Sequence, residues 1–136
     1  MLDRATPRRY SRSTRRLRIF PADDARMQST IDAVWKGLSH DGWLMRYSED
    51  DGFGKPTVAF ILCTFWLIEA LASVGRVDEA RTLMDQAHKM VSPLGLIAED
   101  YDTATHLMSG NFPQAYSHVG LIRAAFAAAP RWKDVL

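Results

Sequence analysis

Apolar residues recur with helical spacing in four segments of the chain, and two long polar stretches separate these segments. The first predicted helix runs from about Asp23 to Leu38, and Asp23 and Asp24 favour its N-terminal end. Its apolar residues fall at i, i+4, i+8 and i+11, and these positions are Met27, Ile31, Trp35 and Leu38. Polar residues occupy most other positions, so the pattern predicts a helix that packs on one side and faces water on the other.

The other three segments predict a buried helix, an amphipathic helix and a second mostly buried helix. The second helix is expected from about Ala59 to Val74 and is apolar on nearly all sides. The third, from about Val77 to Val91, has one polar face, and the short break at Gly75 makes helices two and three an αα-hairpin. The fourth is expected over 112–128, where the glycine and alanine content predicts close helix packing.

Long polar connections precede both buried helices. We expect these connections, 39–58 and 92–111, to lack regular structure, and connections of that length often carry function. An outer helix, a loop and an inner helix follow one another, and this order occurs twice along the chain. Such an order indicates a repeated two-helix unit. If the inner helices are parallel, both loops emerge at the same end of the fold. The fold class predicted is therefore all-α, with about four helices arranged as alternating outer and inner αα-hairpins.

Composition and charge narrow the class of protein. The 136 residues are 47% hydrophobic and 24% charged, which is typical of a globular domain. A formal net charge of +1 conceals an asymmetry, because residues 1–18 hold seven arginines and one acid, Asp3. The remaining residues hold ten basic and fifteen acidic side chains, a net charge of −5. We expect residues 1–18 to be a disordered basic tail, with a nucleic-acid-binding arm and a transit peptide as alternatives.

Several kinds of site and location are not indicated by the sequence. The single cysteine, Cys63, excludes a disulfide framework within the chain and a cysteine zinc cluster. The four histidines have no metal-ligand spacing, and no nucleotide-binding glycine motif is present. We therefore expect neither cofactor nor metal. Without a long apolar run or a secretory signal, the prediction is a cytoplasmic chain with no membrane partner, and nucleic-acid binding is not favoured.

The second loop offers a candidate catalytic carboxylate. Glu99, Asp100 and Asp102 surround Tyr101, and apolar residues before them would hold the segment against the core. A carboxylate fixed beside an aromatic ring can act as a general base, although a solvated acidic turn has the same residue pattern.

The first loop offers candidate sugar-binding residues. Arg46 stands beside Tyr47 in the sequence. Its planar guanidinium carries several N–H donors, and such donors next to an aromatic ring suit sugar hydroxyls. The alternative is an ion pair of Arg46 with Glu49, Asp50 or Asp51. Trp43 suits stacking on a sugar ring or, alternatively, a place in the core.

Four segments together resemble one enzyme family. From about Pro21 to Ala125 the chain is similar to the C-terminal part of glycoside hydrolase family 15, the bacterial glucoamylase and trehalase-like proteins. The segments are DGWLMRYSEDDGFG, AFILCTFWLIEALASVGRVDEA, LGLIAEDYD and GNFPQAYSHVGLI, in the family's order. The resemblance implies that residues 19–136 are the C-terminal portion of an (α/α)6 barrel whose active site lies where loops enter the inner helices.

The resemblance also implies a mechanism and a set of site residues. Family members hydrolyse α-glucosidic bonds with inversion, using an acid and a base roughly 6.5–9.5 Å apart. The segment LIAEDYD matches the family's general-base motif, which places the base at Glu99. The expected substrate-binding residues are Arg46, Tyr47, Trp43, Tyr101, Gln114 and His118. The expected substrate is an α-glucoside, either trehalose or an α-glucan oligosaccharide.

The chain also departs from the family pattern. The family's general acid precedes the matching region, and Lys55 and Pro56 stand where many relatives have acids. We therefore expect a truncated family member that carries only the base half of the site and is inactive alone. Its inner helices should expose apolar surface at two open edges. An upstream chain would have to supply the rest of the barrel and the general acid. A non-catalytic helical-repeat interaction module is the alternative, although the best-known such repeat is shorter, at about 34 residues.

Overall fold

The computed structural model describes residues 21, 23–50, 52 and 54–130. Its four helices are α1 (Ala25–Leu38), α2 (Ile61–Ser73), α3 (Val77–His88) and α4 (Ala115–Ala128). Its short strands are β1 (Ser39–His40), β2 (Trp43–Leu44), β3 (Ala59–Phe60), β4 (Asp100–Asp102) and β5 (Leu107–Ser109). The predicted tail, residues 1–18, lies outside the described residues.

All four predicted helices are present, and the ends of α1 and α4 are set by side-chain caps. Asp24 accepts a hydrogen bond from the Arg26 backbone N–H at 2.9 Å and from the Arg26 guanidinium. These contacts lower the pKa of Asp24 to about 2. At α4, Gln114 Oε1 accepts from the Tyr116 backbone N–H at 2.8 Å, so this helix begins three residues after the predicted start at Phe112.

The expectation that the two long connections lack regular structure was wrong, because they contain small antiparallel sheets. β1 pairs with β2, and β3, β4 and β5 form a second sheet in that order. The backbone of this region lies next to buried residues such as Ile97 and Ala98, where its polar groups need partners that water does not supply. Strand pairing provides them, with Phe60 opposite Asp100 and Asp100 opposite Ser109.

The core is centred on α2, which packs against α3 and α4. Phe65, Ile68 and Leu71 of α2 have no exposed surface. Close packing of α4 is confirmed at Gly120, where an added Cβ would stand 2.6 Å from Leu62 Cδ1 and 3.0 Å from Phe65 Cδ2. Further along the two helices, Arg123 forms a bidentate ion pair with the buried carboxylate of Glu69. Its Nε donates to Oε1 at 3.0 Å and its Nη2 donates to Oε2 at 2.6 Å.

The N-termini of α2 and α4 lie at the same end of the fold. The Ile61 backbone N–H donates to Glu99 O at 3.1 Å, and the Gln114 backbone N–H donates to Ile97 O at 2.9 Å. Both inner helices therefore begin against the segment 97–99. This confirms the prediction that the two long connections meet at one end, where they can build a shared site.

Two apolar surfaces of the described chain face solvent. The α1–α2 groove is a cleft of about 330 Å³ lined by residues including Met27, Ile31, Val34, Cys63, Trp66 and Leu67. Burial raises the pKa of the Cys63 thiol, against the opposing influence of Arg46. The α4 stripe consists of Tyr116, Val119, Ile122 and Phe126, each 45% exposed or more. No described helix is long and apolar enough to span a membrane.

Candidate active site

Glu99 is fixed between the two inner helices and a hairpin. It follows two fully buried residues, Ile97 and Ala98, which anchor the chain in the core. Its carbonyl accepts from the first residue of α2, and its own N–H donates to Asn111 O at 3.0 Å. The backbone of the candidate base is therefore held on both sides, as a catalytic group requires.

Asn111 also holds the Glu99 side chain. Its Nδ2 donates to Glu99 Oε2 at 2.8 Å, and its backbone N–H donates to the same oxygen at 3.3 Å. The intervening turn brings Asn111 back beside Glu99, and Gly110 makes the close return possible. A Cβ on Gly110 would stand 3.2 Å from Glu99 Oε2 and 2.9 Å from Asp100 Oδ2, and its φ is +74°.

A second carboxylate, Asp100, lies beside Glu99. Burial raises the pKa of Asp100, the neighbouring Glu99 raises it further, and Arg46 lowers it. Arg46 reaches this region with its guanidinium carbon 5.7 Å from the centre of the Phe60 ring. The described residues Glu49 and Asp50 form no ion pair with Arg46, and Asp51 lies outside the described residues. The site therefore combines two carboxylates with one exposed cation.

Tyr101 and Trp43 join the two connections through a ring contact. Their ring centroids are 4.5 Å apart, with the planes tilted by 35°. Trp43 is only 5% exposed and belongs to the core, which is the alternative that the sequence left open for it. The Tyr101 hydroxyl lies 3.3 Å from His106 Nδ1. Tyr101 is half-buried, so it is the ring of this pair that borders the surface.

Gln114 and His118 hold the segment that carries Glu99. The Gln114 side chain caps α4, and the Gln114 backbone carbonyl accepts a hydrogen bond from His118 Nδ1 at 2.7 Å. His118 Nε2 in turn accepts from the Ile97 backbone N–H at 3.4 Å, a pairing that fits the neutral Nδ1–H tautomer. Both side chains were predicted to contact substrate. Here the Gln114 side chain binds the Tyr116 backbone, and only His118 binds the backbone of Ile97, two residues before Glu99.

One further contact ties the first connection to the second, and another ties it to α2. His40 Nδ1 lies 3.0 Å from Thr103 Oγ1, and Leu44 N–H donates to the buried Thr64 Oγ1 at 2.9 Å. Tyr47, half-buried, follows Arg46 in this connection. The structure thus brings Arg46, Trp43, Glu99 and Tyr101 into one region, as predicted.

Sequence reasoning missed Asn111 and gave Asp100 no role of its own. The contact of Asn111 with Glu99 depends on the register of the β4–β5 hairpin, which the residue pattern does not reveal. Two residues gave weak local signals of this hairpin, namely Asp102 beside its turn and Gly110 at its end. Asp102 Oδ1 accepts from Ala104 N–H at 2.9 Å to shape the turn, and Gly110 immediately precedes Asn111. Within the described ranges, no three His, Cys, Asp or Glu side chains come together as a metal site would require.

Comparison with known proteins identifies the family. The family model described as "Glycosyl hydrolases family 15" matches residues 2–126. The chain belongs to glycosyl hydrolase family 15. The match begins at residue 2 rather than near Pro21, so it includes most of the arginine-rich segment in which the sequence showed no resemblance.

Curated relatives of this family 15 chain carry the name trehalase. The chain is 39% identical to a trehalase from Mycolicibacterium smegmatis over 110 residues, which are 79% of this chain and 16% of the relative. It is 39% identical to a trehalase from Thermoplasma volcanium over 80% of this chain and 18% of that relative. Trehalase 1 of Sulfolobus acidocaldarius is 35% identical over 70% of this chain and 17% of its own length. The chain therefore spans less than a fifth of these relatives, and no solved structure gave a significant match.

Proposed function

We propose that this chain carries the general-base half of an inverting α-glucosidase site. In this proposal Glu99 takes a proton from a water molecule as that water attacks the anomeric carbon. The C–O bond to the leaving sugar breaks, and a general acid protonates the leaving oxygen. The observation that carries the proposal is the fixed position of Glu99, whose backbone and carboxylate are both held beside a second carboxylate and an exposed arginine.

Sugar contacts are proposed for the polar groups around Glu99. The exposed Arg46 guanidinium offers several donors to sugar hydroxyls. Tyr101 and Tyr47 provide half-buried aromatic surfaces, and Trp43 supports Tyr101 from the core side. Gln114 and His118 serve the site by holding Ile97 in place. Trehalose is the proposed substrate, because the curated relatives are named trehalases; an α-glucan oligosaccharide is the alternative.

The general acid is proposed to come from a segment outside these 136 residues, the N-terminal part of the family's catalytic domain. The chain matches less than a fifth of its relatives' length, so most of a complete relative lies outside the match. The α1–α2 groove and the α4 stripe leave apolar surface open on two sides of the described fold. Such surfaces are typical of sites that another part of a protein covers. Alone, the chain is expected to release no glucose from trehalose.

A chimera tests the proposed reaction. This chain would replace the matching segment of the Mycolicibacterium smegmatis trehalase, and proton NMR would follow the anomers released from α,α-trehalose. Inversion at the attacked carbon gives one β-glucose and one α-glucose per bond cleaved. Two α-glucose molecules would contradict the inverting mechanism. A folded chimera without hydrolysis would contradict the proposal that this chain completes the site.

A further inference from the structure

The carboxylate of Glu99 is bound on one oxygen only. Asn111 donates to Oε2 from its side-chain Nδ2 at 2.8 Å and from its backbone N–H at 3.3 Å. Within the described residues, no hydrogen bond reaches Oε1. The two oxygens are therefore different, because one is held by two donors and the other remains available to accept a proton.

The backbone around Asn111 is held to the segment that carries Glu99 by hydrogen bonds. Glu99 N–H donates to Asn111 O at 3.0 Å, so the two residues exchange hydrogen bonds across the end of the β4–β5 hairpin. Three residues further along, the Gln114 N–H donates to Ile97 O. Backbone hydrogen bonds at Asn111 and three residues later thus hold this part of the chain against the segment that carries Glu99, which keeps the Asn111 amide beside the carboxylate.

A general base needs this kind of support. A carboxylate on a long side chain samples several rotamers unless a donor fixes it, and a misplacement of about 1 Å can cost roughly 100-fold in rate. Among the described residues, Asp100 is a neighbouring negative charge that repels the Glu99 carboxylate, and the positive charge of Arg46 acts on Asp100 in the opposite sense. Without a donor on Oε2, repulsion by Asp100 would favour rotamers that turn the Glu99 carboxylate away.

We propose that Asn111 is the positioning residue of the general base. It holds Oε2 of Glu99 and thereby directs Oε1 at the attacking water. This inference rests on the proposed function of Glu99, but its structural part is independent of catalysis. Asn111 is exposed, so its substitution removes the amide without opening a cavity in the core.

The structural part is tested in this chain by measuring the side-chain rotamer of Glu99. Three-bond Hα–Hβ couplings in a labelled sample should show one rotamer in the wild type and averaged rotamers in Asn111→Ala. Asn111→Asp keeps the shape but places a carboxylate against Oε2, and it should displace Glu99 at least as strongly. Thr105→Ala, an exposed change in the same hairpin, should leave the couplings unchanged. A single unchanged rotamer in Asn111→Ala would overturn the inference.

The catalytic part is tested in the chimera. Asn111→Ala should lower kcat by about 10- to 100-fold with little change in KM, since the residue acts on the base and does not bind the sugar. In the Glu99→Gln background, Asn111→Ala should cause no further loss, whereas a merely structural role would reduce the rate by the same factor again. Equal factors in both backgrounds, or an unchanged kcat, would overturn the catalytic part.

The outcomes of the two proposals remain separate. If Glu99→Gln kept full activity, Glu99 would be excluded as the general base. The Hα–Hβ coupling measurement would still decide whether Asn111 holds the Glu99 side chain. If Glu99→Gln lost activity and Asn111→Ala did not, the role of Glu99 as the general base would stand. The role of Asn111 as its positioning residue would be excluded.

Discussion

Gly120 of α4 lies against Leu62 of α2 so closely that a Cβ on the glycine would stand 2.6 Å from Leu62 Cδ1. The contact sets the distance between the two inner helices whose N-termini support Glu99. We predict that Gly120→Ala lowers the free energy of unfolding by about 1–3 kcal/mol, because Leu62 and Phe65 must move to admit the methyl group. Urea titration followed by circular dichroism measures the change.

Gly37 provides the matched control for this prediction. It lies within α1, and an added Cβ there would meet nothing within 4 Å. Gly37→Ala should therefore stabilise the chain by up to about 1 kcal/mol, since alanine is the better helix former. Equal stability of both alanine variants would contradict the close approach of α4 to α2.

The helices and the site differ in how far they could be predicted from sequence. The stripe of Met27 and Ile31 and the cap at Asp24 are local signals, so α1 could be predicted nearly to its ends. The strands of the two connections contain only two or three residues each, too few for an alternating pattern to stand out. Their pairing is decided by distant backbone groups, such as Phe60 opposite Asp100.

The same limit applies to the site residues. Glu99 and Arg46 could be proposed as candidates from the residues around them and from motifs that resemble a known family. Asn111 was missed because its contact with Glu99 appears only when the hairpin returns. His118 was found by motif, but its hydrogen bonds to backbone groups of Gln114 and Ile97 could not be predicted from residue types.

Asp100 is expected to destabilise the chain at neutral pH. Its pKa is raised in the folded state by burial and by Glu99, so folding favours its protonated form. The destabilising effect of Asp100 is absent at pH values below the pKa that this residue has in the unfolded chain. The free energy of unfolding falls as the pH rises through the raised pKa of the folded state. We predict that Asp100→Asn gives a higher Tm than the wild type at pH 7 and that this difference shrinks toward pH 3. A difference in Tm that is constant with pH would contradict the raised pKa.

Asp24 is expected to stabilise α1 as its N-cap, with the opposite dependence on pH. Its folded pKa of about 2 lies below the ordinary value of 3.8, so its contribution is present above about pH 4 and lost as the pH falls through 2. Asp24→Ala should lower the Tm at pH 6, and the difference from the wild type should diminish near pH 2. Asp23→Ala, next to it and exposed, should change the Tm less. A larger effect of Asp23→Ala would contradict the cap.

The α4 stripe is expected to drive self-association of the isolated chain. Ile122 is 55% exposed and Phe126 is 81% exposed, on one side of one helix. We predict that the double variant Ile122→Ser, Phe126→Ser lowers the weight-average mass seen by sedimentation velocity. Leu94→Ser, a change at an equally exposed residue (84%) away from the stripe, should leave it unchanged. Equal effects of the two variants would show that the stripe has no special part in association.

The central claim is that Glu99 is the general base, and its most direct test is the rate of glucose release from trehalose by the chimera. Glu99→Gln keeps the size of the side chain and its contact with Asn111 but cannot take a proton from water. The account predicts a fall in kcat of about 10²- to 10⁴-fold, with the wild-type Tm retained and Glu49→Gln as an active control. A Glu99→Gln chimera that hydrolyses trehalose at the wild-type rate would contradict the claim and favour the non-catalytic helical module.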